Sequence, residues 1–224
     1  MNAADYLTQD VATATEIDGK LPDMYRDRLP ETDKDRIAFQ QILEEDHSVF
    51  SIQSVVIPFG KSGVLTSTGL LRLYLDYIRR CTFGLIQPEE NPDGIAFRLV
   101  GTSAAIIKFS PRVFAESEDI QKTTLCISGG LLVQPEECDR GQLDFMVEAV
   151  ATGTRATLKL SDYCPLILGS SQPSLWRKWL YRLTQAYMHK IVTIRFLAMV
   201  YRKMTGKRLK KDVVRIAVRH GKDT

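Results

Sequence analysis

The sequence predicts an α+β fold, a mostly antiparallel β-sheet covered on one face by a long C-terminal helix. Two periodicities carry that reading. Apolar residues alternate with period two through much of Gly94–Leu168, as half-buried strands require. They recur at steps of three and four over Leu70–Cys81 and again over residues 173–205, as helices require. The composition, 44% hydrophobic and 25% charged over 224 residues, excludes collagen-like, disordered and disulfide-scaffold classes.

The elements follow in order. Residues 1–47 read as an acidic N-terminal arm with one short helix: Thr32 and Asp35 make a weak capping box, and Ile37, Phe39, Ile42 and Leu43 give an apolar face. Residues 48–206 read as a single α+β domain. Val49–Phe59 is β-branched and bounded by Pro58 and Gly60, so it is expected as a strand. Leu70–Cys81 is expected as a helix with Ser67 or Thr68 as cap and Gly84 as exit. Ile95, Phe97 and Leu99 begin the antiparallel strands. Ala104–Phe114 and Thr123–Gln134 continue them, kinked at Pro111 and at Gly129-Gly130.

The sharpest local expectation is a hairpin at Leu143–Ser161 turning on Thr152-Gly153. It sets Ala149 opposite Ala156, Val147 opposite Leu158 and Phe145 opposite Leu160. On its other face Asp144 and Glu148 lie diagonal to Lys159 and Arg155, which makes surface ion pairs the expectation. Pro173 then opens the long helix, whose apolar stripe includes Trp176, Trp179, Leu180, Leu183, Ile191, Ile194 and Tyr201. Residues 191–201 are apolar nearly all round, which suits burial on more than one side, by a second subunit included. Residues 207–224 read as a basic helical tail, with Leu209, Val213, Ile216 and Ala217 inside.

Catalytic motifs are absent. Gly60-Lys61-Ser62-Gly63 has the tail of a phosphate-binding loop, but Val55 stands where its first glycine belongs, so a plain turn is expected. His47, His189 and His220 have no local partner, no G-x-S-x-G elbow is present, and Cys81, Cys126, Cys138 and Cys164 form no C-x-x-C pair. No metal or cofactor is expected, the thiols are expected reduced, and whether the protein is an enzyme stays open, with the balance against it. The acidic N-terminus Met1–Tyr6 has no signal-like pattern and no run of apolar residues is long enough to span a bilayer, so a cytoplasmic location is expected.

Charge is the least ordinary feature. Residues 1–162 carry 16 basic and 25 acidic side chains, whereas residues 163–224 carry 14 and 2. The basic surface gathers Arg177, Lys178, Arg182, Lys207, Arg208, Lys210 and Lys211. Three uses suit it: an anionic membrane surface, an acidic protein partner, or docking on the chain's own acidic body. Nucleic acid is not expected, since no helix-turn-helix, RNP-type strand or zinc finger specifies it.

The element order of an early strand, a helix, antiparallel strands and a terminal helix is similar to helix-grip (START-like) ligand-binding domains. In these a curved sheet grips a C-terminal helix over a cavity. That likeness implies a non-enzymatic binding protein for an apolar or amphipathic small molecule. Phe145, Val147, Leu158, Leu160, Trp179 and Leu183 are the candidate lining. The alternatives are an interaction module that docks the basic C-terminal helix, and an enzyme of unknown class.

Overall fold

A computed structural model describes residues 36–59, 64–134, 140–166, 187–209 and 213–223. Eleven strands among them form one sheet: β1 Ile37–Leu43, β2 Val49–Pro58, β3 Ile86–Asn91, β4 Gly94–Leu99, β5 Ala105–Phe109, β6 Val113–Glu116, β7 Ile120–Gly129, β8 Gln142–Val150, β9 Gly153–Tyr163, β10 Val213–Arg215 and β11 Lys222–Asp223. The spatial order is β10-β1-β2-β9-β8-β7-β5-β4-β3, with β6 beside β7 and β11 beside β1. Every pairing is antiparallel except β1 with β10. Helices α1 (Ser67–Cys81) and α2 (Tyr187–Thr205) pack on one face, so the α+β class holds.

The short helix expected over Ile37–Leu43 is a strand instead. Seven residues fit either period, and burial decides between them: Ile37–Ile42 are buried without a break, on both faces of β1. A helix on a sheet keeps one side wet, whereas a central strand hides both. The expected helix entrance at residues 31–35 lies outside the described residues, as does the arm before it.

The β8–β9 hairpin forms two residues out of the expected register. Val147 pairs with Ala156, Phe145 with Leu158 and Leu143 with Leu160, so the two-residue loop is Ala151-Thr152. An even shift keeps every side chain on its expected face. Gly153 becomes the first residue of β9, opposite Pro58, where a Cβ would stand 2.1 Å from the Ile57 carbonyl oxygen. Only glycine lets β2 and β9 approach there.

Helix α1 is capped by Thr66, whose Oγ1 accepts from the Gly69 amide at 3.0 Å, rather than by Ser67 or Thr68. It ends in a Schellman turn: the Gly84 amide donates to the Arg79 carbonyl (2.8 Å) and the Phe83 amide to the Arg80 carbonyl (3.1 Å). Phe83 occupies the left-handed position that glycine normally fills, at φ 53°. Of the long helix expected over 173–205, residues 187–205 are α2, and 173–186 lie outside the described residues. Ala104–Phe114 divides into β5 and β6 around Pro111, and β3 was not anticipated at all.

The helical tail expected after residue 207 is also corrected. Its described part runs as β10, parallel to Ile37–Phe39 of β1, and β11, antiparallel to Ile42 and Leu43. The β-branched run Val213-Val214, with Ile216 and Val218 beyond, favours extended backbone, and the edge of β1 supplies its partners. Gln40 holds the bend between the two strands. Its Nε2 donates to the Arg219 carbonyl at 2.6 Å, and its Oε1 accepts from the Val218 (2.7 Å) and Arg219 (3.0 Å) amides. Val218 packs on Ile42, Phe50 and Ile52, while Arg219 stacks over the Phe50 ring and pairs with Glu44 at 3.2 Å.

Two outcomes follow from these contacts. Phe83→Gly removes a left-handed aromatic worth about 1–2 kcal/mol of strain and adds about 0.5–1 kcal/mol of unfolded-chain entropy. A net gain of about 0.5–1 kcal/mol is expected in urea unfolding. Gln40→Met strips three hydrogen bonds from the C-terminal clasp at a cost of about 2–3 kcal/mol. Hydrogen exchange should then quicken at the Val218 and Arg219 amides while the β2–β9 amides stay protected.

Candidate functional site

The layer between the sheet and the helices is apolar over most of its extent. Leu143, Phe145 and Val147 on β8 alternate with residues of the outer face, as do Ala156, Leu158 and Leu160 on β9. Phe145 packs against Tyr74 of α1 with ring centroids 5.3 Å apart, and Tyr74 meets Phe196 of α2 edge-on at 5.1 Å. Tyr77 also reaches Phe196, at 5.6 Å. This aromatic bridge ties both helices to the middle of the sheet. Burial pushes the Tyr74 phenol far above its ordinary range, so it stays neutral. Of the six candidate lining residues, Phe145, Val147, Leu158 and Leu160 are thus brought together on this face, while Trp179 and Leu183 lie outside the described residues.

The same layer turns polar beneath α2, where that helix crosses β2 and β1. Gln53 of β2 lies between Phe39 and Leu158 in the register and shares their face. Its Nε2 donates to Ser51 Oγ at 2.6 Å, and its Oε1 has no partner although the residue is fully buried. Thr193 of α2 is also fully buried, and its Oγ1 is unpartnered. One helical turn earlier, Lys190 holds its ammonium 4.4 Å from the centre of the Phe39 ring, which fixes this part of α2 over β1 and β2. Sequence reasoning missed this strip. The available signal was the polar pair Ser51 and Gln53 inside a β-branched run that otherwise reads as core.

On the opposite face the expected surface ion pairs are buried. Asp144 is fully buried and stands between Lys122 and Lys159, each ammonium 3.3 Å from Oδ2, while Oδ1 accepts from Thr124 Oγ1 at 2.7 Å. Arg155 donates to Glu148 at 2.8 Å and is itself buried. The two-residue register shift explains the difference. It sets Asp144 directly opposite Lys159 and Glu148 opposite Arg155, on central strands rather than at the rim. Both carboxylates are therefore held by cations. At the β1–β2 turn, burial works against the Asp46 charge, but bonds from Ser48 and the Arg140 guanidinium outweigh it and hold the carboxyl at about 2.

Lys207 and Arg208 are exposed just past α2, and Arg177, Lys178, Arg182, Lys210 and Lys211 lie outside the described residues, as does the Gly60–Gly63 loop. Among the described residues Cys81, Cys126 and Cys164 form no disulfide, and Cys138 lies outside the described residues. Among the described residues no three His, Cys, Asp or Glu side chains converge as a metal site, and no helix is long and apolar enough to cross a membrane.

No protein-family model matches the chain, and no curated protein matches it. Among solved structures it is similar to the crystal structure of CalU16 from Micromonospora echinospora, at 13% identity over 75% of this chain and 84% of that one, with a TM-score of 0.33. At that level the likeness bears on neither fold nor function.

Breaking the outer-face cluster should be costly. Asp144→Asn leaves two buried ammonium groups without a counter-charge, and a loss of about 3–5 kcal/mol is expected in urea unfolding. Replacing Lys122, Asp144 and Lys159 together by Met, Leu and Met should recover most of it.

Proposed function

We propose that the protein is a non-enzymatic binding protein that holds an amphipathic small molecule between the sheet and α2, in the manner of a helix-grip domain. One observation carries this reading: Gln53 Oε1 and Thr193 Oγ1 are buried without partners in the same helix–sheet layer. An orphaned buried oxygen costs about 1–3 kcal/mol, so two in one layer are best accounted for by a ligand that donates to them. The apolar body of that ligand would extend from the polar strip toward Leu158. Phe145 already packs against Tyr74, so the centre of the layer serves as a floor more than as open lining. The antiparallel sheet with both described helices on one face supports the same layout. Asp144 and Glu148 each lie in an ion pair, which weighs against a catalytic reading.

Native mass spectrometry of gently purified protein should detect a small-molecule adduct that solvent extraction removes. Thr193→Val and Gln53→Leu should lower its occupancy at least tenfold, and Thr193→Val should leave the stripped protein at least as stable as before, because it replaces an orphaned oxygen by an apolar group of similar shape, whereas Gln53→Leu also gives up the bond to Ser51. A protein that carries no adduct, and that Thr193→Val simply stabilises, overturns the proposal.

A further inference from the structure

Two turns at one end of the sheet project apolar side chains into solvent. The Schellman turn after α1 carries Phe83, 95% exposed, and Leu85, 55% exposed. The end of β4 and the turn after it carry Leu99 and Val100, at 38% and 45%. The two turns are joined: the Val100 amide donates to the Leu85 carbonyl at 2.9 Å, and Ile86 pairs with Leu99 at the start of the β3–β4 ladder. These four residues therefore make one continuous tip. Phe83 is the telling member, because its ring gains no burial from a backbone conformation that glycine would adopt without strain. Strain kept at an exposed aromatic points to a use for the ring outside the fold.

Charge says what that use is. Residues 77–88 and 97–108, which build the tip and its base, contain Arg79, Arg80, Arg98 and Lys108 and no acidic residue. Arg98 is neutralised by Glu89 at 2.7 Å. Arg79 and Arg80 are exposed in the last turn of α1, immediately behind Phe83. We propose that this tip is a membrane-docking surface: Phe83, Leu85, Leu99 and Val100 enter the interfacial layer of an anionic bilayer while Arg79 and Arg80 lie against its headgroups. A protruding tip of four side chains on two turns is too small for a stable protein interface, which needs on the order of 800 Å² per partner. It matches a bilayer, which accepts a few apolar side chains and adds roughly fivefold in partition for each cation near acidic lipid. The surface is separate from the Gln53–Thr193 layer and stands whether or not a ligand binds there.

The test is co-sedimentation of the full chain with vesicles of phosphatidylcholine alone and of phosphatidylcholine mixed with phosphatidylserine. Wild type should pellet with the mixed vesicles, less so as salt rises, and hardly at all with phosphatidylcholine. Phe83→Gly, which is expected to fold at least as well as wild type, should lower the partition about tenfold or more, the loss of one buried aromatic. Arg79→Glu with Arg80→Glu should lower it by a similar or larger factor. Three outcomes overturn the proposal. Wild type fails to pellet with the acidic vesicles, or both variants pellet like wild type, which moves the contact to the basic C-terminal residues. Alternatively, Phe83→Gly abolishes a concentration-dependent dimer in sedimentation velocity and leaves vesicle binding intact, which makes a second copy the occupant.

Discussion

The central strands are covered on both faces, and most of the polar chemistry follows from that. β1 buries Ile37 through Ile42 without interruption, and β2 buries Val49 through Ile57. A sheet with helices on one face ordinarily turns its other face to water, so that alternate residues are free to be polar. Here the second face is closed as well, and the polar residues that alternation sends there cannot rely on solvent. Gln40 meets the backbone of residues 218 and 219, and Asp144 meets two ammonium groups and a hydroxyl. The C-terminal clasp is part of this solution, since Val218 and Arg219 cover Ile42, Phe50 and Ile52.

Each face buries polar groups of its own kind. On the outer face charge meets charge, and such a network adds rigidity and register more than net stability. On the helix-facing side Gln53 and Thr193 each keep an oxygen that nothing in the fold engages. Both oxygens lie in the layer that α2 covers, where a helix–sheet interface offers room for a ligand.

The sequence made some of this legible and hid the rest for physical reasons. Long periodic segments read correctly: α1 lies where its three- and four-residue steps put it, and the β8–β9 hairpin keeps its predicted faces even with its register shifted by two. Parity survives an even shift, but turn position does not, and the contact between Gly153 and Ile57 that fixes it is a tertiary one. β1 and the C-terminal strands misread as helices because each is short enough to fit both periods. β3, Ile-Gln-Pro-Glu-Glu-Asn, has almost no apolar signal and exists through its ladder with β4. Among site residues, the apolar set Phe145, Val147, Leu158 and Leu160 was readable from alternation. Gln53 and Thr193 were not, because nothing in a single sequence separates a buried glutamine or threonine from a wet one. The split of charge between the two parts of the chain was readable too. Residues 213–215 and 222–223 pair with β1, and Arg219 pairs with Glu44 just beyond it.

The clasp carries a consequence for the order of events in folding. Gln40 and Arg219 are joined although 179 residues separate them, so the outer edge of β1 is among the last parts of the sheet to be completed. Contacts of such high sequence separation slow folding and cannot form until Val218 and Arg219 have left the ribosome. Until then β1 presents a row of unpaired backbone groups, the template on which nascent chains associate. A truncation too small to disturb the core would make that transient state permanent, and its first symptom would be aggregation during synthesis.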